Sequence, residues 1–271
     1  MIEHLRKATG FVAATVVAVH LVAASAHGEG FRVENKVFSG DEEEPQTEST
    51  TIFHEDLVYD YLKNPEEITV FDRVGSRFIL LDTARKTRTE LTTRELHAMA
   101  DRVRRWAVGS GDDFLRFLAA PELEEEFDPS TQTLRMSSAY VTYELETAEA
   151  PRDEIMQQYR EFLNWYSLLN MRINPGSRPP FARMEVNRSL ERLGRMPRTV
   201  HLTLRPKGDR ILAEGLLGGK EMTARSEHLV VPHLLESDRS RVAQTDQFMA
   251  MFSPLSFAEY QRRIRDEVES R

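Results

Sequence analysis

The sequence predicts an α+β protein: a curved, largely antiparallel sheet of about eleven strands with about five helices packed on one face. Two patterns support this class. Short runs rich in β-branched and aromatic residues are separated by polar turns, which is typical of an antiparallel meander. Elsewhere, apolar residues recur every three or four positions, as they do in helices that pack against a core. With 271 residues, 40% of them hydrophobic and 30% charged, the chain is long enough to bury such a core.

Five strands are predicted in the first third of the chain. Apolar residues alternate in the first run, and the later runs are short, apolar and bounded by turn residues. The predicted strands lie at 31–37, 52–62, 68–71, 78–81 and 87–91.

A helix and three more strands follow. Thr92 and Glu95 have the spacing of a capping box, and the apolar stripe after them ends at Gly109. Alternating residues then predict strands at 123–127, 134–136 and 141–145.

The longest predicted helix begins at Pro151 and ends before residue 174. Asp153 and Glu154 lie in its first turn, where acidic side chains complement the helix dipole. A short helix over 183–193 stops at Gly194. The remaining pattern predicts strands at 200–204, 211–217 and 225–231, and two helical segments at the C-terminus.

The N-terminus has the three parts of an export signal. Two basic residues precede an apolar run at 11–24, and a small-x-small triplet ends at Ala26. The run is shorter than the ~20 residues that a membrane-spanning helix needs. We therefore expect residues 1–26 to be a cleaved signal peptide, residues 27–271 to form a single domain, and the protein to be periplasmic or extracellular. The alternative is an uncleaved N-terminal anchor.

Composition excludes several classes of function. The chain has no cysteine, which excludes a disulfide scaffold, a thiolate metal site and a cysteine nucleophile. The formal net charge is −8, and it becomes −9 when the first 26 residues are removed with their two basic groups and one acid. Such a balance argues against a general nucleic-acid binder.

No motif predicts a catalytic site, a metal site or a cofactor. The histidines lack the spacing of H-E-x-x-H, and neither a G-x-S-x-G turn nor a glycine-rich phosphate loop is present. With 44 Asp and Glu residues, no single acid–base pair can be chosen. A hydrolase that uses carboxylates at an unidentified site is one alternative.

Basic residues are concentrated between Arg172 and Arg210, a segment with ten Lys and Arg residues and three acidic residues. Arg188, Arg192 and Arg195 are predicted to share one face of the short helix. A basic amphipathic helix can contact an anionic membrane surface or an acidic partner, so these three residues are candidate contacts to an anionic headgroup. The alternative is that they pair with the protein's own acidic strands.

Aromatic and methionine side chains on two helical regions are candidates for the lining of a ligand cavity. Met and aromatic side chains adapt to irregular ligands. The candidate lining residues are Tyr159, Phe162, Tyr166, Phe248, Met249 and Phe252. The alternative is that both stripes are ordinary core.

The meander after the predicted export signal resembles the periplasmic lipoprotein-carrier fold of the LolA/LppX type. The resemblance covers about residues 31–147 and depends on successive short hairpins, with phrases such as LVYD at 57–60 and FILLD at 78–82. It implies an unclosed half-barrel with helices on its concave side that hold acyl chains, and it implies neither catalysis nor a cofactor. In this chain, however, helices interrupt the strand series, and a helix-rich remainder at 150–271 has no counterpart in the pattern.

Three functions follow as hypotheses. The first is an exported protein that binds a lipid or another amphiphile, without catalysis, in a cavity between sheet and helices. The second is a secreted interaction or scaffold module with a filled core and no ligand. The third is the carboxylate-based hydrolase.

Overall fold

The structure is a computed structural model that describes residues 30–63, 66–174, 177–205 and 221–269. Twelve strands lie in these ranges: β1 (Phe31–Ser39), β2 (Thr47–His54), β3 (Leu57–Leu62), β4 (Glu67–Asp72), β5 (Arg77–Asp82), β6 (Thr87–Thr92), β7 (Glu124–Asp128), β8 (Thr133–Ser137), β9 (Val141–Glu149), β10 (Arg195–Leu204), β11 (Met222–Val231) and β12 (Ser253–Pro254). The helices described are α1 (Thr93–Val108), α2 (Asp113–Ala119), α3 (Asp153–Ile173), α4 (Phe181–Leu193), α5 (Glu236–Met251) and α6 (Phe257–Glu269).

All twelve strands belong to one curved, unclosed sheet in the order β12-β6-β5-β4-β3-β2-β1-β11-β10-β9-β8-β7. Every neighbouring pair is antiparallel except β12 with β6. The pairing of β1 with β11 joins the N-terminal meander to the C-terminal strands. The predicted α+β class and the largely antiparallel sheet are therefore confirmed.

The helices cover the two faces of the sheet unequally. We call the face under α3 the inner face and the opposite one the outer face. Apolar residues of α1, α3, α4 and α6 join one buried cluster with the inner face of β1–β6, and α2 packs beside α1 and α4. Helix α5 instead packs on the outer face, against Ile52, Tyr59, Val70 and Ile79. Five of the described helices thus lie on the inner face, in line with the prediction of about five on one face, and α5 is an additional helix on the outer face.

Coverage divides the sheet into two parts. Strands β3–β5 have four consecutive buried residues each, because helices lie on both faces; we call β2–β5 the double-covered half. In β8 and β9 buried residues alternate with exposed ones such as Arg135 and Glu144, so β8–β10 form the single-covered half. Continuous apolar runs are typical of strands buried on both faces, and alternation is typical of strands buried on one.

Local sequence signals explain several boundaries. Thr92 and Glu95 form the predicted capping box at the start of α1. The single strand predicted at 52–62 is two strands, because the chain turns at Glu55, whose φ of 54° is left-handed. The predicted signal peptide at 1–26 and the predicted strand at 211–217 lie outside the described residues.

Candidate binding site on the inner face

An apolar row of side chains crosses the inner face of six neighbouring strands. The strand register places these residues side by side from β1 to β6: Phe31, Phe53, Val58, Phe71, Phe78 and Leu91. All six belong to the buried cluster under α3. The rings of Phe31 and Phe53 stack with centroids 4.1 Å apart, and those of Phe71 and Phe78 with centroids 4.6 Å apart.

Polarity rises in the next two rows along the same strands. The second row, which we call the mixed row, consists of Val33, Thr51, Asp60, Thr69, Leu80 and Thr89. The third, which we call the polar row, consists of Asn35, Ser49, Leu62, Glu67, Asp82 and Thr87. Four residues of the mixed row are polar and buried, which is unusual for a sheet face under a helix.

Helix α3 lies over these rows and contacts each of them. Phe162 meets Phe53 edge-on, with ring centroids 5.8 Å apart, and contacts Phe71. Tyr166, one turn further along α3, forms a hydrogen bond with the Asp60 carboxyl. The helix therefore fills the space above the apolar row and places a hydroxyl above the mixed row.

Asp60 is a buried carboxyl in the middle of the mixed row, with only 4% of its surface exposed. The Thr51 hydroxyl donates a hydrogen bond of 2.7 Å to Asp60 Oδ1. Burial raises the pKa of Asp60, although the hydrogen bonds from Thr51, Tyr166 and Ser49 act in the opposite direction. Burial and the nearby Asp82 and Asp60 carboxyls likewise raise the pKa of Glu67 in the polar row.

A hydrogen-bonded cluster extends the polar row onto β11. His228 Nδ1 lies 2.8 Å from Asn35 Oδ1 and 2.8 Å from the Tyr159 hydroxyl, and the Ser226 hydroxyl lies 2.9 Å from His228 Nε2. Because an amide oxygen only accepts, Nδ1 donates to Asn35 and Nε2 accepts from Ser226. We call Asn35, Tyr159, Ser226 and His228 the histidine cluster.

In the histidine cluster, Ser226, His228 and Asn35 are hydrogen-bonded in the same order as the residues of a Ser-His-Asn catalytic site. The basicity of His228, however, differs from that of a catalytic histidine. Burial, with the positive charge of Arg183 as a second cause, lowers the pKa of His228 to about 3. A general base works best when its pKa lies near the working pH. At neutral pH, His228 is therefore a poor acceptor for the Ser226 proton, and the geometry favours a binding role over a nucleophilic one.

The six predicted lining residues do not come together. Tyr159, Phe162 and Tyr166 lie in or against the inner-face cluster. Phe248, Met249 and Phe252 belong to the outer-face cluster around α5. The sheet separates the two sets, so the prediction that they line one cavity is wrong.

The three predicted anion contacts each contact an acid of this chain. Arg188 forms an ion pair with Glu185, and Arg192 forms one with Glu125 of β7. Arg195 does not share a helix face with them: Gly194, with φ of 66°, ends α4, and Arg195 begins β10. Its buried guanidinium bonds to Thr147 and lies 3.6 Å from a Glu149 carboxylate oxygen.

Open space beside α3 is small, whereas a cleft of about 530 Å³ opens at the strand ends beside Asn35, Ser49 and Leu62 of the polar row. Between α3 and α4, a gap of about 10 Å³ is lined by Tyr159, Leu163, Leu190 and other residues. A cleft of about 190 Å³ lies at the end of the apolar row, where Phe31, Phe53 and Ile155 meet charged residues. Small-molecule sites usually have volumes of about 300–1,000 Å³. A ligand that lies along the apolar row therefore requires side chains of α3 to move.

Of the residues at this site, Tyr159 was among those predicted from the sequence, whereas Asp60, Asn35, Ser226 and His228 were not. His228 lies in β11 and Asn35 in β1, and only the pairing of these strands brings them together. The sequence contains a partial signal for part of this cluster. Ser226, His228 and Val230 are spaced two residues apart in a predicted strand, which places them on one face.

Comparison with known proteins gives no relative: no family model and no curated protein matches the chain. Within the described ranges, no helix is both long and apolar enough to cross a membrane. The same ranges contain no group of three or more His, Asp or Glu side chains placed to hold a metal ion.

Proposed function

We propose that the protein is an exported carrier that binds an amphiphile on the inner face of the sheet. The apolar part of the ligand lies along the apolar row, and its polar part points toward the polar row and the histidine cluster. The main support is the direction of polarity across six neighbouring strands, from six apolar side chains in the first row to five polar ones in the third. Small-molecule sites commonly combine an apolar wall with a few placed polar groups.

Two further observations support this proposal. The cleft at the end of the apolar row gives a chain-like ligand a place to enter beside Phe31 and Ile155. Helix α3 meets the sheet through large apolar side chains such as Phe162, so an acyl chain that displaced some of them would find the same apolar surroundings. Burial of an acyl chain contributes roughly 0.8 kcal/mol for each CH₂ group.

A second candidate function is the interaction module with a filled core. One observation favours it: side chains of α3 already fill the space above the apolar row, and the gap between α3 and α4 measures only about 10 Å³. A protein of this kind would bind partners through its surface and take up no amphiphile.

Mass spectrometry of the purified full chain distinguishes the two functions. We expect extra mass under native conditions that organic solvent extracts as lipid, or uptake of added oleate with a micromolar or lower Kd. A chain that carries no extractable lipid and takes up neither oleate nor phospholipid contradicts the carrier function and favours the interaction module.

A matched pair of variants locates the ligand. Phe78 and Ile79 are neighbours on β5 that lie on the inner and outer faces respectively. We expect Phe78→Leu to change the Kd for oleate about threefold or more, since it alters the apolar row by about one CH₂ group or more. Ile79→Val removes one CH₂ group from the outer face and should leave the Kd unchanged. The reverse result would place the ligand on the outer face.

A further inference from the structure

Two arginines at the start of α4 differ from the other basic residues of their segment. Arg178 lies in the connector before α4 and Arg183 lies in its first turn, and both side chains are half-buried. Within the described ranges, neither forms an ion pair or a hydrogen bond. Nearby, Arg160 pairs with Glu191 and Arg188 pairs with Glu185. A charged group becomes costly as it is buried without a partner, so the two half-buried guanidinium groups would gain from an anion.

The surroundings of the two arginines have unused hydrogen-bond donors. Tyr143 of β9 is 7% exposed and makes no hydrogen bond within the described ranges. Burial raises the pKa of its hydroxyl, and the charges of Arg183 and Arg178 act in the opposite direction. Helix α4 follows its N-cap residue Pro180, which provides no side-chain cap, and its first turn has no acidic residue. Its free N–H groups and dipole favour an anion, whereas Arg183 in the same turn is unfavourable for the helix alone.

The position of these groups relates them to the inner face. Tyr143 packs with Ala182 and Val186 of α4 on the inner face of the single-covered half. Arg183 lies close enough to His228 and Tyr159 to affect the pKa of each. Arg183 therefore lies near the histidine cluster, beyond the polar row, and Arg178 comes five residues before it in the chain.

We propose that Arg178, Arg183 and the Tyr143 hydroxyl form a site for an anionic group, a carboxylate or a phosphate, next to the polar row of the inner face. Guanidinium groups bind both anions through paired N–H donors, and a tyrosine hydroxyl adds a third donor. As the headgroup site of the amphiphile, this inference rests on the proposed function; as a site for a free anion, it stands alone.

Binding of three probes to the full chain tests the proposal: oleate, oleyl alcohol and inorganic phosphate. Oleate and oleyl alcohol share one chain and differ in charge. We expect oleate to bind about tenfold more tightly than the alcohol, which is the effect of a charge-assisted hydrogen bond. The double variant Arg178→Gln/Arg183→Gln should remove this preference and leave the Kd for the alcohol unchanged. The doubly conservative variant Arg178→Lys/Arg183→Lys should retain most of it.

Arg135→Gln is the matched control, since Arg135 lies exposed on the outer face and pairs with Glu144. It should leave all three affinities unchanged. If the unaltered protein binds oleate and oleyl alcohol equally, the anion site is overturned and the carrier function is left intact. The same conclusion follows if the double Gln variant still prefers oleate over oleyl alcohol. If phosphate binds and its binding depends on both arginines, while neither oleate nor oleyl alcohol binds, the result supports the anion site and contradicts the carrier function. Binding of none of the three probes overturns both.

Discussion

The two halves of the sheet use the same kind of strand in different ways. In the double-covered half, inner-face residues such as Phe71 meet α3, and outer-face residues such as Val70 meet α5. In the single-covered half, Leu145 packs under α4 while Glu144 of the same strand is exposed on the outer face. The second helix layer, rather than the strand itself, therefore decides whether both faces of a strand must be apolar.

Hydrogen bonds attach α5 to the double-covered half at defined points. The Tyr59 hydroxyl donates to Asp246 at 2.8 Å, and the hydroxyls of Tyr61 and Thr245 lie 2.9 Å apart. Burial raises the pKa of Tyr61 to about 12. The outer face here is therefore a fixed layer, whereas the inner face under α3 holds the polarity gradient proposed for binding.

Charge placed on the outer face should show the largest difference between the halves. Val70→Lys buries an ammonium group between β4 and α5, and we expect it to lower the free energy of unfolding by more than about 4 kcal/mol. His201→Lys, on the exposed outer face of β10, should change it by no more than about 0.5 kcal/mol. Denaturant unfolding of both variants measures the contrast, and similar losses would show that α5 does not bury Val70.

Removal of the Phe162 ring tests the packing of α3 on the apolar row. We expect Phe162→Ala to cost about 3–5 kcal/mol in the free energy of unfolding, since the ring contacts Phe53, Phe71 and Tyr166. Leu229→Ala, at a side chain that is 57% exposed, is the control and should cost less than about 0.5 kcal/mol. A loss below about 1 kcal/mol for Phe162→Ala would mean that its ring is not in a packed core.

Acid should weaken the contact between the halves at β1 and β11, where the histidine cluster lies. The pKa of His228 falls from an ordinary 6.5 to about 3 in the folded chain. The unfolded state therefore binds the proton first, and the stability that neutral His228 contributes above pH 6.5 is lost as the pH falls toward 3.

His228→Gln should remove about 2–4 kcal/mol of this acid-dependent loss between pH 6.5 and 3. The raised pKa of Asp60 acts with the opposite sign, because its folded state keeps a proton that the unfolded state releases above pH 3.8. Urea unfolding of both proteins across this pH range is the measurement. Parallel pH profiles would contradict a buried, neutral His228.

The smallest effects should come from the basic segment and separate its two kinds of arginine. Arg195→Gln breaks hydrogen bonds to Thr147 inside the fold and should cost about 1–2 kcal/mol. Arg188→Gln removes one exposed ion pair on α4 and should cost no more than about 0.5 kcal/mol. Thermal and urea unfolding measure both variants. If Arg195→Gln and Arg188→Gln lower the free energy of unfolding equally, a structural role for Arg195 is contradicted.

The sequence was sufficient for elements whose signals are local. The capping box at Thr92, the stop at Gly194 and the alternation in β9 each depend on a few neighbouring residues. The continuous apolar runs of β3–β5 also indicated that both faces of these strands are covered. The sequence of α5, a helix of low amphipathicity, did not indicate which face of the sheet it covers.

Long-range pairing is what the sequence could not supply. The polarity gradient exists only after six strands are placed in register, and Asn35 meets His228 across 193 positions. Arg188 is a different case, because its partner Glu185 lies three residues earlier on the same helix, whereas Arg183 has no acidic residue three or four positions away.

Hydrogen exchange of the full chain with and without oleate tests the central claim most directly, because α3 and α5 lie on opposite faces of the same strands. We expect oleate to change the exchange of amides in Asp153–Ile173 and to leave those in Glu236–Met251 unchanged. A change confined to α5, or no change in α3 under conditions where oleate is bound, would contradict a ligand site on the inner face.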